Sequence, residues 1–113
     1  MEPEDVPFRI ELADGPEGPV VRPHGELDLA TQQELRDALT AHAGRGRLTL
    51  DLSELRFLDT SGLRLILETA EAARRDGFTF GVIPGPPAVQ RLFEIAGVSE
   101  MVPFLDVEEG GRP

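Results

Sequence analysis

The segment Phe57–Ile66, FLDTSGLRLI, decides the fold because it joins two different sequence patterns. An apolar pair, Phe57 and Leu58, leads into three small polar residues and a glycine, and apolar residues at helical spacing follow at once. Asp, Thr and Ser are preferred residues at helix N-termini. Residues Asp59–Gly62 therefore predict a turn that begins a helix. This reasoning leaves open whether one of the hydroxyls is also a functional group.

The segment after the turn has the periodicity of an amphipathic helix. Apolar residues recur at i, i+3, i+4 and i+7, and Gly77 is a natural C-cap. The spacing predicts a sheet-facing side made of Leu63, Ile66, Leu67, Ala70 and Ala73. It predicts a side facing solvent or a partner made of Arg64, Glu68, Glu71 and Arg75.

The N-terminal part predicts a β-hairpin. Phe8, Ile10 and Leu12 alternate with more polar residues, which indicates a strand that buries these three side chains. DGPEGP reads as a turn, and Val20–Leu27 as the partner strand. Pro23 lacks an N–H group, so its presence predicts an edge position or a bulge.

Two helices and three strands complete the prediction. Thr31–Glu34 has the pattern of a capping box, with the threonine accepting from a first-turn amide and the glutamate reaching back. The helix that follows has one face made of Leu35, Ala38, Leu39 and His42. Leu48–Leu52 reads as a central strand and Phe78–Ile83 as the next one. Pro86 and Pro87 open a helix that Gly97 closes, with an inner face made of Val89, Leu92, Phe93 and Ala96.

Met101–Leu105 is predicted to be a last short strand, which gives the order β-β-α-β-α-β-α-β. Alternating helices and strands indicate parallel pairing with right-handed crossovers. The prediction is therefore an α/β fold with a small mixed sheet of about four to five strands and helices packed against it. One domain is expected over residues 7–106, with flexible ends at 1–6 and 107–113.

Composition narrows the functional classes. The chain of 113 residues has a formal net charge of -10, which repels phosphate backbones and anionic lipid and favours a partner with a basic face. Its basic residues are all arginines and it has no cysteine, so lysine Schiff-base chemistry, disulfides and cysteine metal sites are excluded. The acidic start MEPEDVPF has no apolar core of a signal peptide. A cytoplasmic protein that binds neither nucleic acid nor membrane is expected.

The sequence gives little support for an enzyme active site at the Asp59–Gly62 turn. A nucleophilic Ser61 would need a base, and the chain offers only His24 and His42, without a G-x-S-x-G elbow. A serine interrupts the Asp-Thr-Gly pattern of aspartic proteases, which are also all-β proteins. The acidic residues do not have the spacing of a calcium loop. No catalysis, cofactor or metal site is predicted.

A second stretch, HGELDLAT, contains two notable residues. Gly25 suggests a backbone position at which a side chain would not fit. Asp28 ends the second strand just before a helix, where the helix dipole favours an acidic residue.

Three ordered blocks together resemble a known family. GELDLATQQELRDAL (25–39), LDLSELRFLDTSGLRLIL (50–67) and PPAVQRLFEIAGV (86–98) are similar to the signature blocks of STAS-domain anti-sigma factor antagonists, in the same order and at the same spacing. The resemblance extends from about Phe8 to Leu105. The chain departs from the family in lacking a further C-terminal helix, which predicts a less covered sheet edge, and in having Pro23 at an apolar strand position.

The resemblance implies a phosphorylation switch. The serine before the glycine of the turn, here Ser61, would be the phosphoacceptor, and the Thr60–Ser61 pair leaves open which hydroxyl is used. The kinase would be an anti-sigma factor with a histidine-kinase-type ATPase domain, which binds only the unphosphorylated antagonist, and a separate serine phosphatase would reset the switch. The partner-binding surface would comprise Asp59, Thr60, Gly62, Gly25, Glu26 and Asp28.

Alternatives to this switch remain. The chain could instead be an unphosphorylated STAS subunit of a stress-signalling scaffold or of a lipid-transport complex, or a small hydrolase that uses Ser61. The expected oligomeric state is a monomer or a weak homodimer.

Overall fold

Five strands form one mixed sheet with three helices, which confirms the predicted α/β class. The structure is a computed structural model that describes residues 6–106, so the ends that were predicted to be flexible lie outside it except for Val6. The strands are β1 (Arg9–Gly15), β2 (Gly18–Leu27), β3 (Leu48–Asp51), β4 (Leu55–Leu58) and β5 (Phe80–Ile83), and the helices are α1 (Gln32–His42), α2 (Thr60–Asp76) and α3 (Pro87–Ala96).

The predicted hairpin is present, with β1 antiparallel to β2 and Gly15 opposite Gly18 at its closed end. The predicted burial of β1 is wrong in part. Phe8 and Ile10 are half-buried, but Leu12 is 53% exposed. Its neighbour across the ladder, Val21, is fully buried because β2 is an inner strand that α1 packs against, whereas β1 is the outer strand of the sheet.

Pro23 is not on an edge strand. β2 pairs with β1 along one side, and on its other side it pairs first with β3 at Val20 and Val21 and then with β4 from Gly25 onward. Pro23 lies between these two parallel ladders. Neither parallel ladder includes Pro23, so its missing N–H group removes no hydrogen bond to β3 or β4, while in the antiparallel ladder it lies opposite Ile10. The irregularity predicted near Pro23 is the register shift between Gly25 and Glu26.

Strand β4 was not predicted. It follows the central strand β3 after a tight turn in which the Asp51 carboxylate accepts a hydrogen bond of 2.9 Å from the Ser53 amide. Its burial pattern is buried, exposed, exposed, buried, without the alternation that identifies a half-buried strand in a sequence. Pairing with β2, which is distant in the chain, makes this segment a strand.

The start of α1 differs from the predicted capping box. Thr31 occupies the N-cap, but its hydroxyl does not cap the helix. Instead, it accepts from the Asp28 amide and donates to the Glu26 carbonyl oxygen. The Asp28 carboxylate accepts from the amides of Ala30 and Thr31, so the acid at the end of β2 orders this turn.

The buried face of α2 is wider than the sequence pattern indicates. Leu63, Ile66, Ala70 and Ala73 are buried as predicted and Leu67 is half-buried, but Leu65 is also buried, with only 2% exposure. The reason is that α2 packs against α1 as well as against the sheet. Gly77 and Gly97 end α2 and α3 in the left-handed conformation, as predicted.

The C-terminal part contains two further differences. Ala96, predicted to lie on the inner face of α3, is exposed, whereas Val89 and Phe93 are buried. The predicted strand Met101–Leu105 is instead the 3-10 turn Ser99–Met101 followed by a single bridge between Phe104 and Val82. Hydrogen bonds from the Val82 amide to Pro103 and from the Leu105 amide to Val82 cover the outer edge of β5, which the sequence suggested would be less covered.

Candidate functional site

The C-terminal ends of two parallel strands, β2 and β4, bring all of the predicted site residues together. Glu26 lies opposite Phe57 and Leu27 opposite Leu58 in this ladder. The Asp59 amide donates a hydrogen bond of 3.1 Å to the Leu27 carbonyl oxygen. The turn that begins α2 is therefore fastened to the end of β2, and the two stretches form one surface.

Asp59 is the N-cap of α2. Its backbone is extended, and its Oδ1 atom accepts hydrogen bonds from the amides of Ser61 at 2.8 Å and Gly62 at 3.1 Å. Two of the donors that every helix leaves unpaired at its N-terminus are thereby satisfied. Asp59 therefore orders the first turn of α2.

Gly62 allows the first turn of α2 to pack closely on the ends of β2 and β4. A Cβ atom at this position would lie 2.5 Å from Leu58 Cδ1 and 2.7 Å from Leu27 Cγ, distances that real side chains do not adopt. The glycine of the turn is therefore required by packing, and its backbone is helical.

The two hydroxyl residues of the turn are accessible. Thr60 is exposed and Ser61 is half-exposed, in the first turn of α2. Among the residues that the structure describes, no side-chain hydrogen bond engages the Ser61 hydroxyl. The hydroxyl has no structural task in the described part of the chain, which leaves it available for chemistry.

The end of β2 presents the other predicted residues. Gly25 has a φ of 95°, and a Cβ atom there would lie 3.1 Å from Phe8 Cα and 3.2 Å from the Pro7 carbonyl oxygen. The prediction that a side chain would not fit at Gly25 is confirmed. Glu26 is exposed, and Asp28 is half-buried because its carboxylate orders the turn before α1.

Exposed apolar side chains accompany the polar residues at this edge. Leu29, just after Asp28, is 74% exposed, and Phe57, two residues before Asp59, is 48% exposed. Single exposed apolar side chains are common on protein surfaces, and a contiguous patch of them is what marks a protein-binding surface. Sequence reasoning missed both residues, since exposure depends on packing that no local pattern records.

The two histidines are engaged elsewhere. His24 Nε2 lies 2.8 Å from Glu11 Oε1, and His42 Nδ1 lies 2.8 Å from the Ala38 carbonyl oxygen. Within residues 6–106, no three His, Cys, Asp or Glu side chains are grouped as metal ligands would be. In that same range, no helix has both the length and the apolar character needed to cross a membrane.

Glu11 and Arg22 belong to a charged network on the hairpin. Arg22 donates to Asp51 at 2.8 Å and to Glu11 at 2.7 Å. The hydrogen bond from His24, together with the charges of Arg22 and His24, lowers the pKa of the Glu11 carboxyl from its ordinary value of 4.5. The hydrogen bond to Asp51 raises the pKa of the Arg22 guanidinium, so the Arg22–Glu11 ion pair stays charged at neutral pH.

Comparison with protein families gives a match over most of the chain. A family model described as "Mlab, STAS domain" matches residues 10–103. The chain belongs to the STAS domain family. An anti-sigma F factor antagonist of Paenibacillus polymyxa is 32% identical to this STAS domain over 92 residues, which cover 79% of each protein.

Solved structures agree with this assignment. The crystal structure of an anti-sigma factor antagonist from Mycobacterium paratuberculosis is 28% identical, with a TM-score of 0.78 over 91% of this STAS domain and 87% of that chain. SpoIIAA, an anti-sigma factor antagonist, matches in its unphosphorylated form at 22% identity with a TM-score of 0.66 over 91% of each chain. In its phosphorylated form it matches at 20% identity with a TM-score of 0.62, over 91% of this chain and 95% of that chain. The similarity to SpoIIAA shows a shared fold.

Proposed function

We propose that this STAS domain is an anti-sigma factor antagonist whose binding is switched by phosphorylation of Ser61. Unphosphorylated, it binds an anti-sigma factor with a histidine-kinase-type ATPase domain, and a sigma factor is released. The observation that carries the proposal is the accessible Ser61 hydroxyl, without a side-chain hydrogen bond in the described residues, on the surface formed by the ends of β2 and β4. The names of the similar proteins support the choice of partner.

Phosphorylation acts through charge in this proposal. The kinase transfers the γ-phosphoryl group of ATP to Ser61 Oγ, the hydroxyl proton leaves, and ADP is released. The phosphate adds about -1.5 to -2 charge beside the Asp59 carboxylate. Against one acidic group of the partner at about 4 Å, a unit charge costs up to roughly 4 kcal/mol at an effective dielectric constant of 20. That is nearly a thousandfold in affinity, so no large conformational change is needed.

The proposed domain has no catalytic activity of its own. A separate serine phosphatase removes the phosphate, and the domain acts in the cytoplasm without binding nucleic acid, membrane or a cofactor. Both histidines have other hydrogen-bond partners, which supports the absence of a base for Ser61. Steady ester or peptide hydrolysis that Ser61→Ala abolishes would contradict this part of the proposal.

Affinity capture tests the proposed partner. Ser61→Ala, which cannot carry a phosphate, serves as bait in an extract of the protein's own host, and Ser61→Asp serves as the charged counterpart. We expect Ser61→Ala to retain a protein with an ATPase domain, and Ser61→Asp to bind it at least tenfold more weakly by calorimetry. Retention of a transporter or multi-subunit scaffold by both baits alike would favour the alternative of an unphosphorylated STAS subunit.

Phosphate mapping tests the phosphoacceptor. The captured kinase and ATP are incubated with the wild type, Ser61→Ala and Thr60→Ala, and the modified residue is located by mass spectrometry. We expect phosphate on Ser61 in the wild type and in Thr60→Ala, and none in Ser61→Ala. Phosphate on Thr60, or equal affinity of Ser61→Asp and the wild type for the partner, would show that Ser61 is not the switch.

A further inference from the structure

Two of the backbone donors nearest to a phosphate on Ser61 are already engaged. The amides of Ser61 and Gly62 both donate to the Asp59 carboxylate. The phosphate could take these donors only by displacing an anionic cap, and two anions compete for the same positive end of the helix. A cation nearby would offer the phosphate a partner without breaking the cap.

Arg64 is placed to be that cation. It follows Ser61 by three residues and Thr60 by four within α2, and it is exposed. Side chains at these spacings are neighbours on one face of a helix, with Cβ atoms roughly 5–6 Å apart. Arginine binds phosphate strongly because its planar fork donates two hydrogen bonds at once.

The carboxylates that could compete for Arg64 on its own helix are all paired with other arginines. Glu68 accepts from Arg36 at 2.9 Å, Glu71 pairs with Arg74 at 2.6 Å, and Asp76 pairs with Arg75 at 3.1 Å. Within residues 6–106, Arg64 forms no ion pair. It is therefore the α2 arginine whose charge is uncompensated in the described part of the chain, and it lies next to the proposed phosphoacceptor.

We infer that the Arg64 guanidinium forms an ion pair with the phosphate of phosphorylated Ser61. This inference rests on the proposed function, since it describes how the same site holds its modification. The ion pair favours the doubly charged phosphate and keeps it on the exposed face of α2, in front of the partner. In the unphosphorylated domain, Arg64 is open to a partner. After phosphorylation, the phosphate occupies it.

The other charged groups near the turn make Arg64 more important to the phosphate. Asp59 is the cap itself, and Glu26 and Asp28 lie at the end of the adjacent strand. All three are acidic and disfavour the second ionisation of a phosphate. Removal of Arg64 should therefore raise the second pKa of the phosphate, which is about 6 for phosphoserine.

Phosphorus NMR on the full chain tests the ion pair. Phosphoserine is installed at position 61 by genetic encoding, so that no kinase is needed, and the phosphate is titrated in the wild type, Arg64→Gln and Arg64→Lys. We expect the second pKa of the phosphate to rise by roughly 0.2–0.4 units in Arg64→Gln, the size of a favourable i,i+3 pair. In Arg64→Lys the second pKa of the phosphate should stay close to the wild-type value. In 1 M salt the difference in this pKa between the wild type and Arg64→Gln should become smaller.

Arg74→Gln is the matched control, because it removes the same charge from the same helix. Arg74 is thirteen residues from Ser61 along α2, about 20 Å at the helical rise. We expect it to change the phosphate pKa by less than roughly 0.1 unit, since that distance exceeds the screening length. Equal pKa values in Arg64→Gln and Arg74→Gln would overturn the ion pair. If a kinase leaves Ser61 unmodified, the proposed function fails, while this titration still decides the ion pair.

Discussion

Asp59 is the residue on which the geometry of the turn depends. It accepts from two first-turn amides and donates its own amide to Leu27, so it connects the beginning of α2 with the end of β2. Ser61, in contrast, contributes no side-chain hydrogen bond within the described residues. Asp59 therefore holds the turn in place, whereas the Ser61 side chain, two residues later, adds no hydrogen bond to it in the described part of the chain.

Stability measurements on Asp59 and Ser61 variants should reveal this difference. Asp59→Ala removes the cap and should lower the free energy of unfolding by about 1 kcal/mol. Ser61→Ala should lower it by less than about 0.5 kcal/mol, because no bond of the hydroxyl is lost. Urea unfolding followed by circular dichroism measures both. A larger loss from Ser61→Ala than from Asp59→Ala would mean that the cap is misassigned.

Gly62 should not tolerate alanine, although alanine favours a helix by about 1 kcal/mol. The added methyl group would overlap Leu58 and Leu27, and overpacking of this kind costs about 1–3 kcal/mol. We expect Gly62→Ala to lower the free energy of unfolding, whereas Thr60→Ala, at an exposed position of the same turn, should change it by less than about 0.5 kcal/mol. A more stable Gly62→Ala would contradict the close packing.

The helix α2 packs on two partners, and this decides which of its leucines matter. The sequence pattern assigned Leu67 to the buried face and did not include Leu65. In the structure Leu65 is 2% exposed and Leu67 is only half-buried, because α1 covers the side of α2 on which Leu65 lies. The sheet and the neighbouring helix together define a wider buried face than either does alone.

Alanine substitution distinguishes the two assignments. Leu65→Ala and Ile66→Ala should each cost about 2–5 kcal/mol of unfolding free energy, as expected for fully buried side chains. Leu67→Ala should cost roughly 1 kcal/mol and Glu68→Ala less than that. Chemical denaturation of the four variants gives the order. If Leu67→Ala proves more harmful than Leu65→Ala, the periodicity is a better guide than the packing.

The hairpin network makes acid stability depend on Glu11. Because the folded-state pKa of Glu11 is below its ordinary value of 4.5, the carboxylate stabilises the fold fully above pH 4.5. This contribution is lost as the pH falls through the lowered pKa. Glu11→Gln should therefore make the free energy of unfolding fall less steeply below pH 4.5. It should also lower the free energy of unfolding at pH 7, because the contribution of the Glu11 carboxylate is lost. Thermal unfolding across this range measures both; the same acid slope in wild type and Glu11→Gln would contradict the assignment.

The whole molecule is small and strongly acidic, with a radius of gyration of 13.3 Å and a net charge of -10. Like charges at this density oppose self-association, and salt screens that repulsion. We therefore expect a monomer at low salt and at most a weak homodimer at high salt. Sedimentation velocity at low salt (about 50 mM) and high salt (about 500 mM) measures the oligomeric state. A stable dimer at low salt would show that a specific interface outweighs the charge.

The sequence by itself determined the features that depend on neighbours in the chain. The Asp59–Gly62 turn, the α2 helix with its glycine cap at Gly77, the hairpin and the α/β class all follow from local periodicity and capping preferences. Gly25 was grouped with the turn by the resemblance of three ordered blocks to the STAS family and not by a local pattern. Local rules were sufficient because each of these features is stabilised mainly within its own segment.

Only the tertiary structure decided the features that depend on residues distant in the chain. β4 is a strand because it pairs with β2, and Gly62 must be glycine because Leu27 lies against it. The Thr31 hydroxyl hydrogen-bonds to the Asp28 amide and the Glu26 carbonyl oxygen at the end of β2 instead of forming the predicted capping box. The physical reason is the same in each case. The contacts that stabilise these features join residues distant in the chain. A local sequence pattern identifies a residue but does not show which distant residue will pack against it.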